Sequence, residues 1–305
     1  EDTAAPEDTA APEDTAAPED TAAPEDTAAP QDIAPSDPLE ALSDEFENAE
    51  TISAWLRVFE VEQWTGANQL DEYDVNISNP GYMTMIPHTS TWYEDYRGVL
   101  AFKPIAGDFI VTTSVQVSNR TEDGPPDALF SLAGIMVRTP RDITPQTWQP
   151  GGENYVFLSL GAGNQAATYQ TEVKTTVNSN STLELGPGGP EATIRVARIE
   201  NHFLLLIQYP NGSWAVHRRY HRPDMPETLQ VGLTVYTDWD TVSSYTPADH
   251  NSMTIPFGTP DLVAKFDYMR YKQPVVPSGL EGADLSNPTA VTDAEILSFL
   301  GITAD

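Results

Sequence analysis

The chain has 305 residues, no cysteine, and 46 acidic against 15 basic side chains, which gives a net charge of −31. The absence of cysteine excludes disulfide staples and thiolate metal sites. The acidic excess argues against DNA, RNA and anionic lipid as partners, because phosphate binding requires clustered Lys and Arg. The longest apolar run, Phe203 to Ile207, is too short to cross a bilayer.

The first thirty residues are the hexapeptide EDTAAP, repeated five times without a change. No side chain in it is larger than Glu, so the tract cannot bury enough apolar surface to offset its chain entropy. A proline in every copy forbids a continuous helix and favours polyproline II, in which six residues make two whole turns. We expect residues 1–36 to form an extended stalk, whose repeats would span about 90 Å at about 3.1 Å per residue.

The repeat aligns one threonine of each copy along the same edge, beside proline and alanine, as in O-glycosylated mucin-like stalks. The candidate attachment sites are Thr3, Thr9, Thr15, Thr21 and Thr27. Four N-x-S/T sequons add candidates for N-linked sugar, at Asn76, Asn119, Asn180 and Asn211. The alternative interpretation of the tract is a disordered acidic linker. Taken together, these features favour an extracellular or cell-surface location.

Residues 37–273 contain many short strand-like segments separated by turn-forming clusters. Gly107 to Val117 and Thr193 to Arg198 alternate apolar and polar residues with period two. Asn201-His202 and Asn211-Gly212 separate apolar runs, as hairpin turns do. The spacing predicts about ten to thirteen strands in an antiparallel all-β sandwich of the jelly-roll type.

The tail, residues 274–305, combines a linker rich in Pro, Gly and Ser with one short helix. Thr292 and Glu295 form a capping-box pattern before an apolar face, and Gly301 ends it. This amphipathic helix either packs on its own sandwich or docks into a neighbouring subunit.

Several segments together resemble the concanavalin A-like lectin/glucanase superfamily, and most closely its laminarinase-like domains of unknown function in secreted bacterial proteins. The segment with the most family features is IRVARIENHFLLLIQYPNGSWAVHRRY (194–220), followed by LQVGLTVYT (229–237). Further similar segments are LSDEFENAETISAWLRV (42–58), GYMTMIPHTSTWYEDYRGVLAFKPIAGDFIVTTSVQV (81–117), AGIMVRTP (133–140), NYVFLSLG (154–161) and AKFDYMRY (264–271). The resemblance implies a two-sheet sandwich over about residues 39–273. It leaves the function open, because the superfamily includes lectins, hydrolases and spacers.

Glucanases of this superfamily carry two glutamates on one strand in the pattern E-x-D-x-x-E, since retaining hydrolysis needs two carboxyls about 5–5.5 Å apart. The chain lacks this pattern. We therefore expect a protein that is not an enzyme.

Asp238 and Asp240 are expected on one strand face at a loop mouth. Such a pair beside Trp239 suits Ca²⁺ or a sugar hydroxyl, and the alternative is a solvated turn. We expect no cofactor, with Ca²⁺ at this pair as the one exception considered.

The polar loop TSTWYEDYRG holds a cluster of aromatic side chains suited to stacking on sugar rings. Its candidate carbohydrate-binding residues are Trp92, Tyr93, Tyr96 and Arg97, together with Trp239. The alternative is that the tryptophans pack in the core or at its rim.

A basic run, residues 217–222, contains Arg218, Arg219 and Arg222. It suits an acidic partner such as a uronic or sulfated sugar, or it balances local acids at a strand end.

Three functions fit the sequence. The first is a non-catalytic extracellular structural or adhesive protein, such as a surface fibre subunit, with its sandwich carried on or assembled through the repeat. The alternatives are a lectin-like carbohydrate-binding module and a glycoside hydrolase with a carboxylate pair that the sequence does not reveal. The expected partners are glycans and identical subunits, the latter through the repeat or the C-terminal helix.

Overall fold

The computed structural model describes residues 37–301. The stalk predicted over residues 1–36 lies outside the described residues, and so do its candidate glycosylation sites Thr3, Thr9, Thr15, Thr21 and Thr27. The stalk and its modification therefore stay predictions. Within residues 37–301, no helix has both the length and the apolar character that crossing a bilayer requires.

The described chain is a sandwich of two antiparallel sheets with seven strands each. In chain order the strands are β1 Leu56–Arg57, β2 Leu70–Val75, β3 Met83–Pro87, β4 Ala101–Ala106, β5 Phe109–Ser118, β6 Ser131–Arg138, β7 Tyr155–Ala162, β8 Tyr169–Val177, β9 Asn180–Pro187, β10 Glu191–Ile199, β11 His202–Gln208, β12 Trp214–His221, β13 Thr228–Tyr236 and β14 Val263–Lys272. The first sheet has the order β1-β4-β13-β6-β7-β8-β9, and the second has β12-β11-β10-β5-β14-β3-β2. The predicted all-β antiparallel sandwich is confirmed, with more strands than the sequence indicated.

The helices are all short. They are α1 Val58–Val61, α2 Trp239–Val242, α3 Pro247–Ser252 and α4 Asp293–Leu300, and the 3-10 turns are Glu40–Leu42 and Ala49–Ala54. The first three α-helices lie in the β1–β2 and β13–β14 connections and were not predicted from the sequence.

The two strands predicted from period-two alternation are confirmed as β5 and β10, which pair with each other in the second sheet. Their apolar positions, such as Val111 and Val196, face each other across the pair and are fully buried between the sheets. The predicted turn at Asn211-Gly212 is also confirmed between β11 and β12. There Gly212 adopts φ +83°, a conformation that glycine reaches without steric cost.

Apolar side chains fill three layers. The main core lies between the two sheets, where positions such as Ile135, Leu158 and Val231 are fully buried. A second cluster covers the outer face of the first sheet and contains Trp92, Tyr155, Phe157 and Tyr236 from the loop before β4 and from β7 and β13. The third cluster lies on the outer face of the second sheet.

The C-terminal helix supplies much of this third cluster. Ile296, Phe299 and Leu300 of α4 pack against apolar residues of β5, β10 and β11. The predicted capping box is present, because Thr292 and Glu295 each accept a hydrogen bond from the other's backbone N–H. Of the two alternatives for this helix, packing on its own sandwich is confirmed.

Candidate functional site

The outer face of the first sheet carries the polar and aromatic side chains of the candidate site. On β8, Glu172 and Lys174 point to this face because they flank Val173, which points into the core. On β7 and β13, Phe157 and Tyr236 reach the same face by the same alternation. The candidate site is therefore built on β13, β7 and β8 of the first sheet.

A pocket of about 220 Å³ opens over these strands. Its lining residues come from two loops, from α2 and from β8 and β9, and they are Thr91, Tyr93, Phe130, Lys174, Leu183 and Trp239. A few polar groups among apolar and aromatic walls are typical of small-molecule sites.

A larger hollow of about 450 Å³ lies elsewhere on the molecule, among residues that include Glu122, Asp123, Glu191 and Lys265. Glu122 and Lys265 form an ion pair with each other there, and Glu122 and Asp123 are exposed. The smaller pocket is the better candidate because it combines aromatic walls with a buried charged floor.

Three aromatic rings surround Trp239 at the pocket. Its ring centroid lies 5.5 Å from that of Tyr93, 5.9 Å from Tyr96 and 6.4 Å from Phe130, with interplanar angles of 71°, 77° and 73°. Such edge-to-face contacts stabilise aromatic pairs and fix the plane of each ring. Trp239 and Tyr93 remain partly exposed, so both can offer a surface to a ligand.

Asp238 holds Trp239 in position. It adopts φ 68° as the N-cap of α2, and its carboxylate accepts hydrogen bonds from Thr89 Oγ1 at 2.8 Å and Thr259 N at 2.7 Å. Asp240 is exposed on the helix itself. The predicted common strand face of these two acids is wrong, because a short helix begins between them. Among residues 37–301 no cluster of three or more His, Asp or Glu suits a metal ion.

The aromatic loop contributes Tyr93 to the pocket, while its neighbours serve as anchors. The Trp92 side chain is fully buried, and its indole N–H donates to the Val99 carbonyl at 2.8 Å. Arg97 is also buried and pairs with Glu62 and Glu153. The predicted roles of Trp92 and Arg97 in glycan contact are therefore wrong, because neither side chain reaches solvent.

Tyr96 does not line the pocket but packs against Trp239, which does. Its hydroxyl donates to the Tyr245 carbonyl at 2.8 Å, and its ring packs edge-on against Trp239 and His250. Of the five predicted residues, the structure brings Tyr93, Tyr96 and Trp239 together.

Lys174 and Glu172 form a buried ion pair at the floor, with Lys174 Nζ 2.9 Å from Glu172 Oε1. Lys174 Nζ also donates to the Trp92 carbonyl at 2.7 Å and lies 4.7 Å from the ring centroid of Phe157. The hydroxyl of Tyr236 donates to Glu172 Oε2 at 3.2 Å. Burial lowers the pKa of Lys174, and the charge of Glu172 opposes this effect.

A second buried ion cluster lies on the same face of the sheet. Arg138 binds Glu153 Oε2 at 2.8 Å and Glu62 Oε1 at 2.9 Å, while Arg141 binds Glu153 Oε1 at 2.6 Å. Burial raises the pKa of Glu153, but the charges of Arg138 and Arg97 outweigh it and lower this pKa to about 2. The cluster joins α1 and the aromatic loop to β6 and thus supports the pocket wall.

His250 on α3 fixes the start of the aromatic loop. The Thr91 N–H donates to its Nε2 at 3.2 Å, which leaves Nδ1 to donate to Asn251 Oδ1 at 3.0 Å. This is the neutral form of the imidazole. Burial lowers the pKa of His250 to about 4, and the hydrogen bond that His250 donates to Asn251 opposes this effect.

The basic run lies on β12 and just after it, and its arginines have partners. Arg218 pairs with Glu184, Arg219 with Asp293 of α4, and Arg222 with Asp224. These pairs agree with the second of the two roles predicted for residues 217–222, in which the arginines balance nearby acids.

Asn180 and Asn211 of the four sequons are exposed, whereas Asn76 Nδ2 donates to the Glu47 carbonyl. Their glycosylation stays a prediction.

Four residues of the site were not predicted from the sequence, namely Glu172, Lys174, Phe130 and Leu183. The first two carry a usable signal, because opposite charges two residues apart flank an apolar residue within a strand. Phe130 and Leu183 carry no such signal and reach the pocket through the fold.

No protein-family model matches the chain, and a search of curated proteins returns no relative. Solved structures do match. A functionally unknown protein from Saccharomyces cerevisiae is 14% identical with a TM-score of 0.50, over 74% of this chain and 99% of that chain. At this identity the likeness shows the sandwich fold alone.

Two further matches have lower TM-scores. A xylan β-1,4-xylosidase from Bacillus halodurans is 13% identical with a TM-score of 0.48, and the match covers 76% of this chain but 39% of the xylosidase. A legume lectin-like domain from Entamoeba histolytica is 7% identical with a TM-score of 0.44, over 73% of this chain and 92% of that domain.

Proposed function

We propose that the sandwich is a carbohydrate-binding module that binds a saccharide in the pocket over β8. The observation that carries this proposal is a pocket with partly exposed Tyr93 and Trp239 rings above the buried Glu172–Lys174 pair. The apolar faces of a sugar ring stack on aromatic side chains, and its oxygens accept hydrogen bonds from a cation such as Lys174.

The floor favours binding over hydrolysis. Two-carboxylate glycosidases need a second acid opposite the first. In this chain Glu172 has Lys174 two residues along the strand, and the two side chains neutralise each other. Among the described residues that line the pocket, the charged one is Lys174.

Affinity electrophoresis against a panel of soluble neutral and acidic polysaccharides tests the proposal, followed by calorimetry on any polymer that retards the protein. We expect Trp239→Ala and Tyr93→Ala to weaken binding by at least about tenfold, which corresponds to 1.4 kcal/mol. Tyr209→Ala is the matched control, since this half-exposed tyrosine lies on the β11–β12 turn. Failure of every polymer to bind the wild-type protein would overturn the proposal.

A second candidate function follows from the unbroken repeat in the sequence. The module would then be displayed at a cell surface on residues 1–36, or assembled through them into a structural fibre. Mass spectrometry of the native tract, together with the oligomeric state in solution, tests this idea. Unmodified threonines in a strictly monomeric protein would contradict it.

A further inference from the structure

The positive charge of Lys174 is neutralised inside the protein by Glu172. Its Nζ lies 2.9 Å from Glu172 Oε1 and 2.7 Å from the Trp92 carbonyl oxygen. An ammonium group has three N–H donors, so these two partners leave one donor. Lys174 lines the pocket with only 1% of its surface exposed, so a ligand oxygen would have to sit on the pocket floor to accept from that donor.

The arginines on the same face of the sheet lie outside the pocket lining. Arg138 and Arg97 each contact both Glu62 and Glu153, and Arg141 contacts Glu153. Three arginines share two carboxylates, which leaves one positive charge, and all of these side chains except Arg141 are buried. Because none of the five lines the pocket, the charged lining residue that a ligand meets there is Lys174, whose charge Glu172 neutralises.

The surroundings of the pocket entrance are acidic. Glu94 follows Tyr93 and Asp240 follows Trp239, and both acids are exposed. The chain as a whole carries a net charge of −31. This field repels an anionic polymer before it reaches the pocket.

We propose that the pocket selects neutral saccharides and discriminates against carboxylated and sulfated ones. Lys174 donates its third N–H to a hydroxyl or ring oxygen of the sugar. Glu172 cancels the charge that would otherwise attract an anion. This inference rests on the proposed function, because it names the ligand class of the same pocket.

The test compares each neutral polymer that binds with its own carboxymethylated and sulfated derivatives, by calorimetry at fixed ionic strength. For the wild-type protein we expect the derivatives to bind at least about tenfold more weakly, since like charges disfavour the complex. Glu172→Gln keeps the shape of the side chain and leaves Lys174 unneutralised. It should therefore shift the ratio of affinities toward the anionic derivative by about tenfold or more.

Glu184→Gln is the matched control, because this acid is exposed on the neighbouring strand β9. It should change the ratio by less than about threefold, as expected for a solvated charge. Thermal melts check that each variant folds. If Glu172→Gln does not fold, the ratio of neutral to anionic affinities of the wild-type protein still tests the proposal.

The outcomes separate the two proposals. If no polymer binds, the proposed function fails. If a neutral polymer binds but its anionic derivatives bind equally well or more tightly, the neutral selectivity fails and the binding function stands. An unchanged ratio in a folded Glu172→Gln variant would likewise contradict the role of the ion pair.

Discussion

Arg138 shows how a single buried side chain determines the stability of the site. It contacts Glu153, Glu62 and the Gln230 side chain within 3 Å and is fully buried. Replacing Arg138 takes its guanidinium away from the buried acceptors Glu153 Oε2, Glu62 Oε1 and Gln230 Oε1, which costs far more than losing a surface ion pair.

We therefore predict that Arg138→Met lowers the free energy of unfolding by about 3–5 kcal/mol. Glu45→Gln is the control, because Glu45 and Arg270 form an ion pair with half-exposed side chains. Its expected cost is about 0–1 kcal/mol. Urea titrations at pH 7.5 measure both changes. Equal losses of unfolding free energy in the two variants would show that the buried cluster stabilises the protein no more than a surface ion pair does.

Two buried groups make the free energy of unfolding fall as the pH falls below neutrality. His250 has a folded-state pKa of about 4, whereas an unfolded histidine titrates near pH 6.5. Between these values the unfolded chain binds more protons, so the free energy of unfolding falls as pH falls through this window. Glu153, with a folded-state pKa of about 2 and an ordinary value of 4.5, adds a second loss at lower pH.

We predict that the contribution of His250 to the free energy of unfolding is constant above about pH 7 and falls by roughly 3 kcal/mol between pH 6.5 and 4. His250→Gln removes the ionisable group and should flatten this window while leaving the loss below pH 4. Urea titrations at a series of pH values measure the curve. An unchanged slope between pH 6.5 and 4 in the variant would assign the loss to other groups.

At the scale of elements, the C-terminal helix α4 depends on the sheet beneath it. Its eight residues are too few to be stable as an isolated helix, so its stability comes from its cap and its packed face. Arg195 and Arg219 add hydrogen bonds from the sheet to carbonyl groups of this segment.

We predict that Ile296→Ala costs about 2–4 kcal/mol, because Ile296 is fully buried against the sheet. Ser298→Ala on the exposed side of the same helix should change stability by less than about 0.5 kcal/mol. Differential scanning calorimetry compares the two variants. Similar melting temperatures for them would mean that the helix does not contribute to the core.

The long elements were predictable and the short ones were not. β5 and β10 were predicted from period-two patterns over Gly107 to Val117 and Thr193 to Arg198, and α4 from a complete capping box. α2 has four residues and begins at Asp238 in a left-handed conformation, which no apolar period signals. Short helices of this kind form because tertiary contacts satisfy their ends.

At the scale of the whole molecule, the candidate site combines residues that are distant in the sequence. Tyr93 and Trp239 were predicted because aromatic residues cluster locally in polar segments. Lys174 and Leu183 come from strands between these two positions and join them only in the folded sandwich. Adjacent residues of the aromatic loop have different environments, because Trp92 packs in the core while Tyr93 lines the pocket. The sequence alone does not show which of the two is buried.

The most direct measurement follows the six tryptophan indole N–H resonances of the ¹⁵N-labelled protein during titration with a neutral oligosaccharide. We predict that the Trp239 resonance shifts most, while that of buried Trp92, whose indole N–H donates to the Val99 carbonyl, moves little. Saturable binding that leaves the Trp239 resonance in place, and instead shifts signals from the larger hollow near Tyr169 and Lys265, would contradict the assignment of the pocket.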